Sequence, residues 1–183
     1  MEIAKLVVAA LTPLSVALIG VLLARSSRRF EHSRWLNQKL IEKRIELLSE
    51  ALPKLNDLYC YFSWVGTWAS FSPAEMLQHK RDLDRLFHAN RAFFTAPALT
   101  AYNAFIGALF EHYSAPGIGA CLRTEMVSDD GDRRSAYPKA WEEKWKAMFT
   151  DPSSHTSRST IKKAYAEVVA KLGAEVSIEP AGP

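Results

Sequence analysis

The hydropathy pattern begins with a long apolar run that carries no charge. It covers residues 6–24, LVVAALTPLSVALIGVLLA, in which only Thr12 and Ser15 are polar. As a helix this run would be about 28 Å long, close to the ~30 Å hydrocarbon core of a bilayer. A helix of a water-soluble domain normally has a polar face, which this run lacks. We therefore predict a transmembrane anchor over residues 1–24, with a buried core helix as one alternative.

A cleavable signal peptide is the second alternative. Cleavage after Ala24 would put Leu22 at position −3, where a small residue is required. Arg25, Arg28 and Arg29 follow directly, and their positive charge opposes translocation of the residues behind them. By the positive-inside rule we expect a single-pass membrane protein with its N-terminus outside and its C-terminal domain in the cytoplasm.

The segment after the apolar run is strongly basic. Residues 25–44 carry seven basic and two acidic side chains, a net charge of +5, whereas residues 45–183 carry −2. A basic segment beside a membrane is attracted to anionic lipid headgroups by ~1 kcal/mol per charge. We expect a basic juxtamembrane helix with four headgroup-contacting arginines: Arg25, Arg28, Arg29 and Arg34. The charge could instead serve only as the topology signal. Nucleic-acid binding is not expected, because Phe30 and Trp35 alone offer few stacking surfaces.

Small residues form a stripe along the predicted membrane helix. They are spaced by three and four positions: Ala10, Pro13, Ala17, Gly20 and Ala24. Helices in lipid associate by close backbone approach along such residues, because lipid tails are as apolar as leucine. The stripe predicts a homo-oligomer. Chance is the alternative, since small residues are common in membrane helices.

A seven-residue apolar repeat follows the basic segment. Its members alternate at spacings of four and three: Ile41, Ile45, Leu48, Leu52, Leu55, Tyr59 and Phe62. This repeat predicts a helix that packs along another helix, within the bundle or between protomers. Pro53 lies inside it, so the helix either kinks or restarts there.

Further helices are marked by caps and breakers. Ser72, Pro73 and Glu75 predict a capping-box start for a helix that runs to about Thr95. The remaining elements are a helix from Thr95 to about Tyr113, a short helix within 117–127, a charged loop at 128–135, a helix over 141–149, and a last helix from about Ile161 to Gly173.

The fold class that follows is all-α. We find no alternating β segments joined by tight turns. The predicted organisation is a single N-terminal transmembrane helix, the basic helix at 25–44, a cytoplasmic helical bundle at 45–173, and a disordered tail at 174–183.

Residues that could carry chemistry are few. Asp84 and His88 lie one helical turn apart near Asp82, which could be half a metal site or a surface ion pair. Two free thiols suit a reducing compartment: Cys60 is expected to pack as a small hydrophobe, and Cys121 is the better reactive candidate. The acidic 129–132 loop lacks the spacing of a calcium site, and 117–119 lacks a phosphate-binding motif. We predict no catalytic residue, metal or cofactor.

Two tryptophans are candidates for partner binding. Trp64 and Trp68 lie one turn apart beside Gly66, where the helical pattern breaks. Partial exposure there would give an aromatic contact surface for a protein partner. The alternative is that both belong to the core.

Four sequence blocks carry a resemblance: 37–44, 53–62, 80–84 and 101–105. They resemble small bacterial one-pass membrane proteins that have a cytoplasmic helical bundle and no characterised function. The resemblance covers residues 1–172, and some proteins of this general kind are effectors in anti-phage defence. It implies a non-enzymatic, oligomeric effector acting on the bacterial inner membrane. A membrane-tethered adaptor that binds a protein partner is the alternative, and an enzyme with an unrecognised site is the third hypothesis.

Overall fold

The computed structural model describes the backbone of residues 2–111 and 119–177. It divides the chain into two compact units, residues 1–42 and 43–183. Before residue 34, side-chain surroundings are described only at Gly20, Leu23, Arg25 and Glu31. No helix within this described part is both long and apolar enough to cross a membrane. Most side chains of the predicted membrane-spanning run, residues 6–24, lie outside the described part of the chain.

The described chain is mostly helical, in agreement with the predicted class. Its α-helices are α1 (Glu2–Ser63), α2 (Pro73–Ala89), α3 (Ala96–Leu109), the single turn α4 (Arg133–Ala136) and α5 (Arg158–Ala174). Short 3₁₀ helices cover Trp68–Ser70, Arg91–Phe93, Glu143–Met148 and Pro152–Ser154. The predicted helix over 141–149 is therefore a 3₁₀ helix. The helix α1 continues through Pro53, so of the two predicted alternatives, a kink or a restart, the restart does not occur.

The start of α2 confirms the predicted capping box. The Glu75 backbone N–H donates to the Ser72 hydroxyl at 3.2 Å, and the Ser72 backbone N–H donates to the Glu75 carboxylate at 2.7 Å. Two of the N–H groups that a helix start leaves unpaired are thereby satisfied. The end of α2 lies at Ala89, six residues before the predicted Thr95, because a 3₁₀ turn follows.

Short antiparallel strands replace some of the expected helix and loop. β1 (Phe110–Glu111) pairs with β2 (Cys121–Leu122), and β3 (Val127–Ser128) pairs with β4 (Gly131–Asp132). The prediction of no strands is thus wrong, as is the short helix for the described part of 117–127. The ladders are two residues long, too short for the alternation that identifies a strand in sequence.

The core of the second unit joins α1, α2, α3 and α5. Stacked aromatic rings connect the helices in pairs. Tyr59 of α1 lies on Tyr165 of α5 with 4.4 Å between ring centroids, and Phe87 of α2 lies on Tyr102 of α3 at 4.0 Å. α3 also packs along α5. Burial of these apolar faces is the main favourable term for such a bundle.

The seven-residue repeat of α1 is only partly buried. Leu48, Leu55 and Phe62 lie in the core, but Ile45 and Leu52 are 53% and 37% exposed. Within the bundle its members therefore do not form one packing seam, and packing of the repeat between protomers stays a prediction. Other α1 residues fill the core instead: Leu47, Ala51, Leu58 and Tyr61. The face of α1 that is buried in its own bundle is therefore wider than a stripe with two apolar positions in every seven residues.

The predicted disordered tail begins too early. α5 includes Gly173, which was expected to stop it, and the next residues are placed against the bundle. Glu175 is 5% exposed, and its carboxylate accepts hydrogen bonds from the backbone N–H and the hydroxyl of Thr95. An ion pair with Arg44 holds the same carboxylate. The described part of the tail, 174–177, is therefore ordered by contacts with distant residues.

Candidate functional site

The basic segment divides into exposed and engaged side chains. Arg25 and Arg34 are exposed and form no ion pair with any described residue. Lys39 and Lys43 instead pair along the helix with Glu42 and Glu46, at 2.6 Å and 2.9 Å. Exposed ion pairs of this kind contribute little stability, but they neutralise charge locally. The two arginines of the described segment that lack an ion pair with a described residue, Arg25 and Arg34, are thus both predicted headgroup contacts.

The side chains of most other predicted membrane-facing residues lie outside the part that the structure describes. This applies to Ala10, Pro13, Ala17 and Ala24 of the stripe and to Arg28 and Arg29. Gly20 is exposed, and a Cβ built on it would meet no atom within 4 Å. That position therefore has open space for a neighbouring helix or lipid.

The Trp64 side chain is buried, which contradicts partial exposure at this residue and agrees with the core alternative. It is 5% exposed, whereas Trp68 is half-buried. Trp64 has φ 58°, the left-handed conformation that usually favours glycine. It occupies the first position beyond α1, where the Trp64 and Val65 N–H groups bond to the Tyr61 and Cys60 carbonyls. This is a Schellman ending, in which tryptophan stands where glycine is common.

A buried arginine explains why tryptophan is tolerated there. The Arg133 side chain is 2% exposed, and its guanidinium lies 3.9 Å from the Tyr61 ring centroid and 3.7 Å from that of Trp64. Cation–π contacts strengthen when they are removed from water. The strain of the left-handed backbone is offset by this stacking, so the residue serves the fold rather than an open surface.

The same guanidinium caps the C-terminus of α1. Its Nη2 donates to the Tyr61 carbonyl at 3.0 Å, and its Nε donates to the Glu125 carbonyl at 3.0 Å. The last turn of α1 has no basic residue, and a cation there stabilises the negative end of the helix dipole. Burial lowers the pKa of Arg133 to about 10, opposed by the nearby Tyr61 and Glu125. Burial likewise raises the pKa of Tyr61 to about 12, against the effect of Arg133.

A second arginine caps α3 in the same way. Arg123 donates from Nη1 to the Gly107 carbonyl at 3.1 Å and from its backbone N–H to the Leu109 carbonyl at 2.9 Å. Both carbonyls belong to the last turn of α3, which also lacks a basic residue. The segment that was expected to be loop and short helix thus supplies the caps of two helices.

The residues that were candidates for metal binding or thiol reactivity have other surroundings in the structure. The Asp84 carboxylate accepts hydrogen bonds from Lys80 and from the Tyr102 hydroxyl, each at 2.6 Å, rather than joining His88. No group of three metal-ligating side chains occurs among the residues that the structure describes. Burial raises the pKa of the Cys121 thiol, with a further contribution from Glu111, so its thiolate is disfavoured. Cys60 is half-buried.

A pocket lies at the corner between α2 and α3. Its volume is about 370 Å³, and its polar lining consists of His88, Arg91, Thr100 and Asn103. Phe94 and Leu99 form its apolar wall. No acidic side chain of the described residues lines it. Sequence analysis missed this pocket, because its residues come from two helices and the turn between them.

An ion pair fixes the edge of this corner pocket. Arg44 donates from Nε to the Phe93 carbonyl at 2.7 Å and pairs through Nη2 with Glu175 at 3.1 Å. Glu175 in turn binds the Thr95 backbone N–H at 2.9 Å. The residues on both sides of Phe94 are therefore held by side chains from α1 and from the end of α5.

No protein-family model, curated protein or solved structure matches this chain.

Proposed function

We propose that the protein is a membrane-anchored, non-enzymatic effector that acts as a homo-oligomer on the bacterial inner membrane. Residues 1–24 form the anchor, the N-terminus lies outside, and the helical bundle lies in the cytoplasm. In keeping with the resemblance of its sequence blocks, its biological setting is anti-phage defence.

One observation carries this proposal: an uncharged run of 19 residues is followed at once by arginines. The run lies within α1, so its backbone hydrogen bonds are made inside the segment, as the bilayer interior demands. The exposed Arg25 and Arg34 support contact with anionic headgroups. Together they favour a cytoplasmic bundle under the positive-inside rule.

Self-association is assigned to the stripe of small residues. In lipid, helices approach most closely along Gly and Ala, and this packing replaces the hydrophobic effect as the drive for association. Gly20 is exposed, so this position of the stripe is accessible to a second helix.

A membrane-tethered adaptor is the second candidate. Ile45 and Leu52 support it, because they lie seven residues apart on α1 and are both exposed. Exposed apolar side chains at this spacing suit a helical partner. An adaptor would need the anchor only for location, and it would not alter the membrane.

The test compares the full chain with a version lacking residues 1–24, both expressed in bacteria and followed with a potential-sensitive dye. Depolarisation by the full chain alone supports the effector. A matched pair sharpens the test: Gly20→Leu and Ala17→Leu should weaken crosslinked oligomers and depolarisation, while Leu18→Ala and Leu22→Ala should not. Equal effects of both pairs contradict the role of the stripe. No depolarisation by the full chain contradicts the effector.

A further inference from the structure

The corner pocket between α2 and α3 has the composition of an anion site. Arg91, His88, Thr100 and Asn103 line it; all four residues are exposed to solvent, and none of their side chains has a hydrogen-bond or ion-pair partner among the described residues. Side chains that bind oxyanions are thus present without a protein acceptor. Arg91 supplies a permanent positive charge and a planar set of N–H donors.

A second pocket, between α1 and α2, has a different balance of charge. That second pocket, of about 460 Å³, is lined by Glu50, Lys54, Asp82 and Arg85, so its charges balance. Glu50 and Lys54 also pair with each other at 3.1 Å. The corner pocket has cationic and neutral donors but no acid, so it favours an anionic ligand.

We propose that the corner pocket binds the phosphate group of a phosphate monoester. A carboxylate has two oxygens, whereas a terminal phosphate presents three and carries more charge, which suits four donor side chains. The pocket volume of about 370 Å³ leaves room for the esterified group. Phe94 and Leu99 would pack against the apolar or aromatic part of that group.

The fixed edge of the pocket favours binding. Arg44 and Glu175 hold the backbone on both sides of Phe94, so the apolar wall is in place before the ligand arrives. Less ordering on binding means that more of the interaction energy appears as affinity. The phosphate could come from a soluble ester or from the headgroup of a lipid such as phosphatidic acid.

The test uses the full chain in detergent micelles and calorimetric titration with inorganic phosphate, adenosine monophosphate and adenosine. A parallel titration adds phosphatidic acid to the micelles, with phosphatidylcholine as its control. We expect a phosphate-bearing probe to bind and adenosine and phosphatidylcholine not to bind. Arg91→Gln should weaken binding about tenfold or more, as expected for loss of charged hydrogen bonds.

The matched control is Arg81→Gln, which removes the same charge from an exposed position of α2 outside the pocket. It should change the affinity less than twofold. Asn103→Leu is the second variant and should weaken binding without changing the net charge. Binding of the monophosphate identifies a soluble ester, and binding of phosphatidic acid alone identifies a lipid source. Equal losses in Arg91→Gln and Arg81→Gln, or no binding of any phosphate probe at millimolar concentration, would overturn the proposal.

Discussion

Arginine side chains are used differently in the two units of the chain. In the first unit, the described Arg25 and Arg34 are exposed and unpaired among the described residues. In the second, Arg123 and Arg133 reach into the fold and bind the terminal carbonyls of α3 and α1. Arg25 and Arg34 thus supply charge to the surroundings, whereas Arg123 and Arg133 close helix ends. Other arginines of the second unit, such as Arg81 and Arg91, are exposed like Arg25 and Arg34.

This contrast shows why net charge alone is a poor guide to function. A guanidinium with five donors can satisfy several carbonyls at once, and its flat face stacks on aromatic rings. Arg133 does both, between Tyr61 and Trp64. Only arginines without such partners are available for lipid headgroups.

The largest expected effect comes from removing the buried arginine. Arg133→Ala deletes the stacking and the carbonyl hydrogen bonds, and we expect a loss of about 3 kcal/mol in the free energy of unfolding. Denaturant titration of the full chain in detergent measures it. The control Arg134→Ala removes an exposed neighbour that pairs with Asp132 and should cost less than about 0.5 kcal/mol. Similar losses in both variants would show that Arg133 is not a structural cap.

The next effect tests the ion pair at the corner pocket. Glu175→Gln leaves Arg44 partly buried without its counter-charge, and we expect a loss of about 2 kcal/mol in the same titration. Glu167→Gln is the control, because Glu167 also forms an ion pair, with Lys171, but its side chain is 59% exposed. An unchanged midpoint in Glu175→Gln would indicate that this ion pair is not needed to order the end of α5.

A smaller effect is expected at the capping box of α2. Ser72→Ala should cost about 1 kcal/mol. Burial tends to raise the pKa of Glu75, but hydrogen bonds from the Ser72 backbone and hydroxyl, together with the charge of Lys139 and a hydrogen bond from Tyr137, outweigh it, so the net pKa is lowered from its usual 4.5. A lowered pKa stabilises the fold above the unfolded value, and this contribution is lost as the pH falls through the folded pKa. The difference between wild type and Ser72→Ala should therefore shrink at acid pH; a constant difference would contradict the coupling.

Local signals made part of the fold predictable. The capping box of α2 and the Thr95-Ala96-Pro97 start of α3 depend on neighbours in sequence, and both occur as predicted. The contact between Arg44 and Glu175 could not be predicted, because 131 residues separate the partners. For the same reason the sequence predicts only a charged loop around Arg133. One signal was present: neither α1 nor α3 has a basic residue in its last turn.

The exposed residues of the α1 repeat show a second limit. Spacing alone does not distinguish Leu48 and Leu55, which face the core, from Ile45 and Leu52, which do not. The direction of the core is set by α2, α3 and α5, whose positions depend on contacts far apart in sequence.

The central claim is that Arg25, Arg28 and Arg29 orient the chain, while Arg123 and Arg133 hold its fold. The most direct measurement places a reporter at the C-terminus of the full chain in bacteria and compares wild type with the Arg25→Ser, Arg28→Ser, Arg29→Ser triple variant, with purified protein used for the unfolding midpoint. We predict a cytoplasmic reporter in wild type and a mixed orientation in the triple variant, with the midpoint of unfolding unchanged. A reporter outside the cytoplasm in wild type, or an orientation that the triple variant leaves unchanged, would contradict the account.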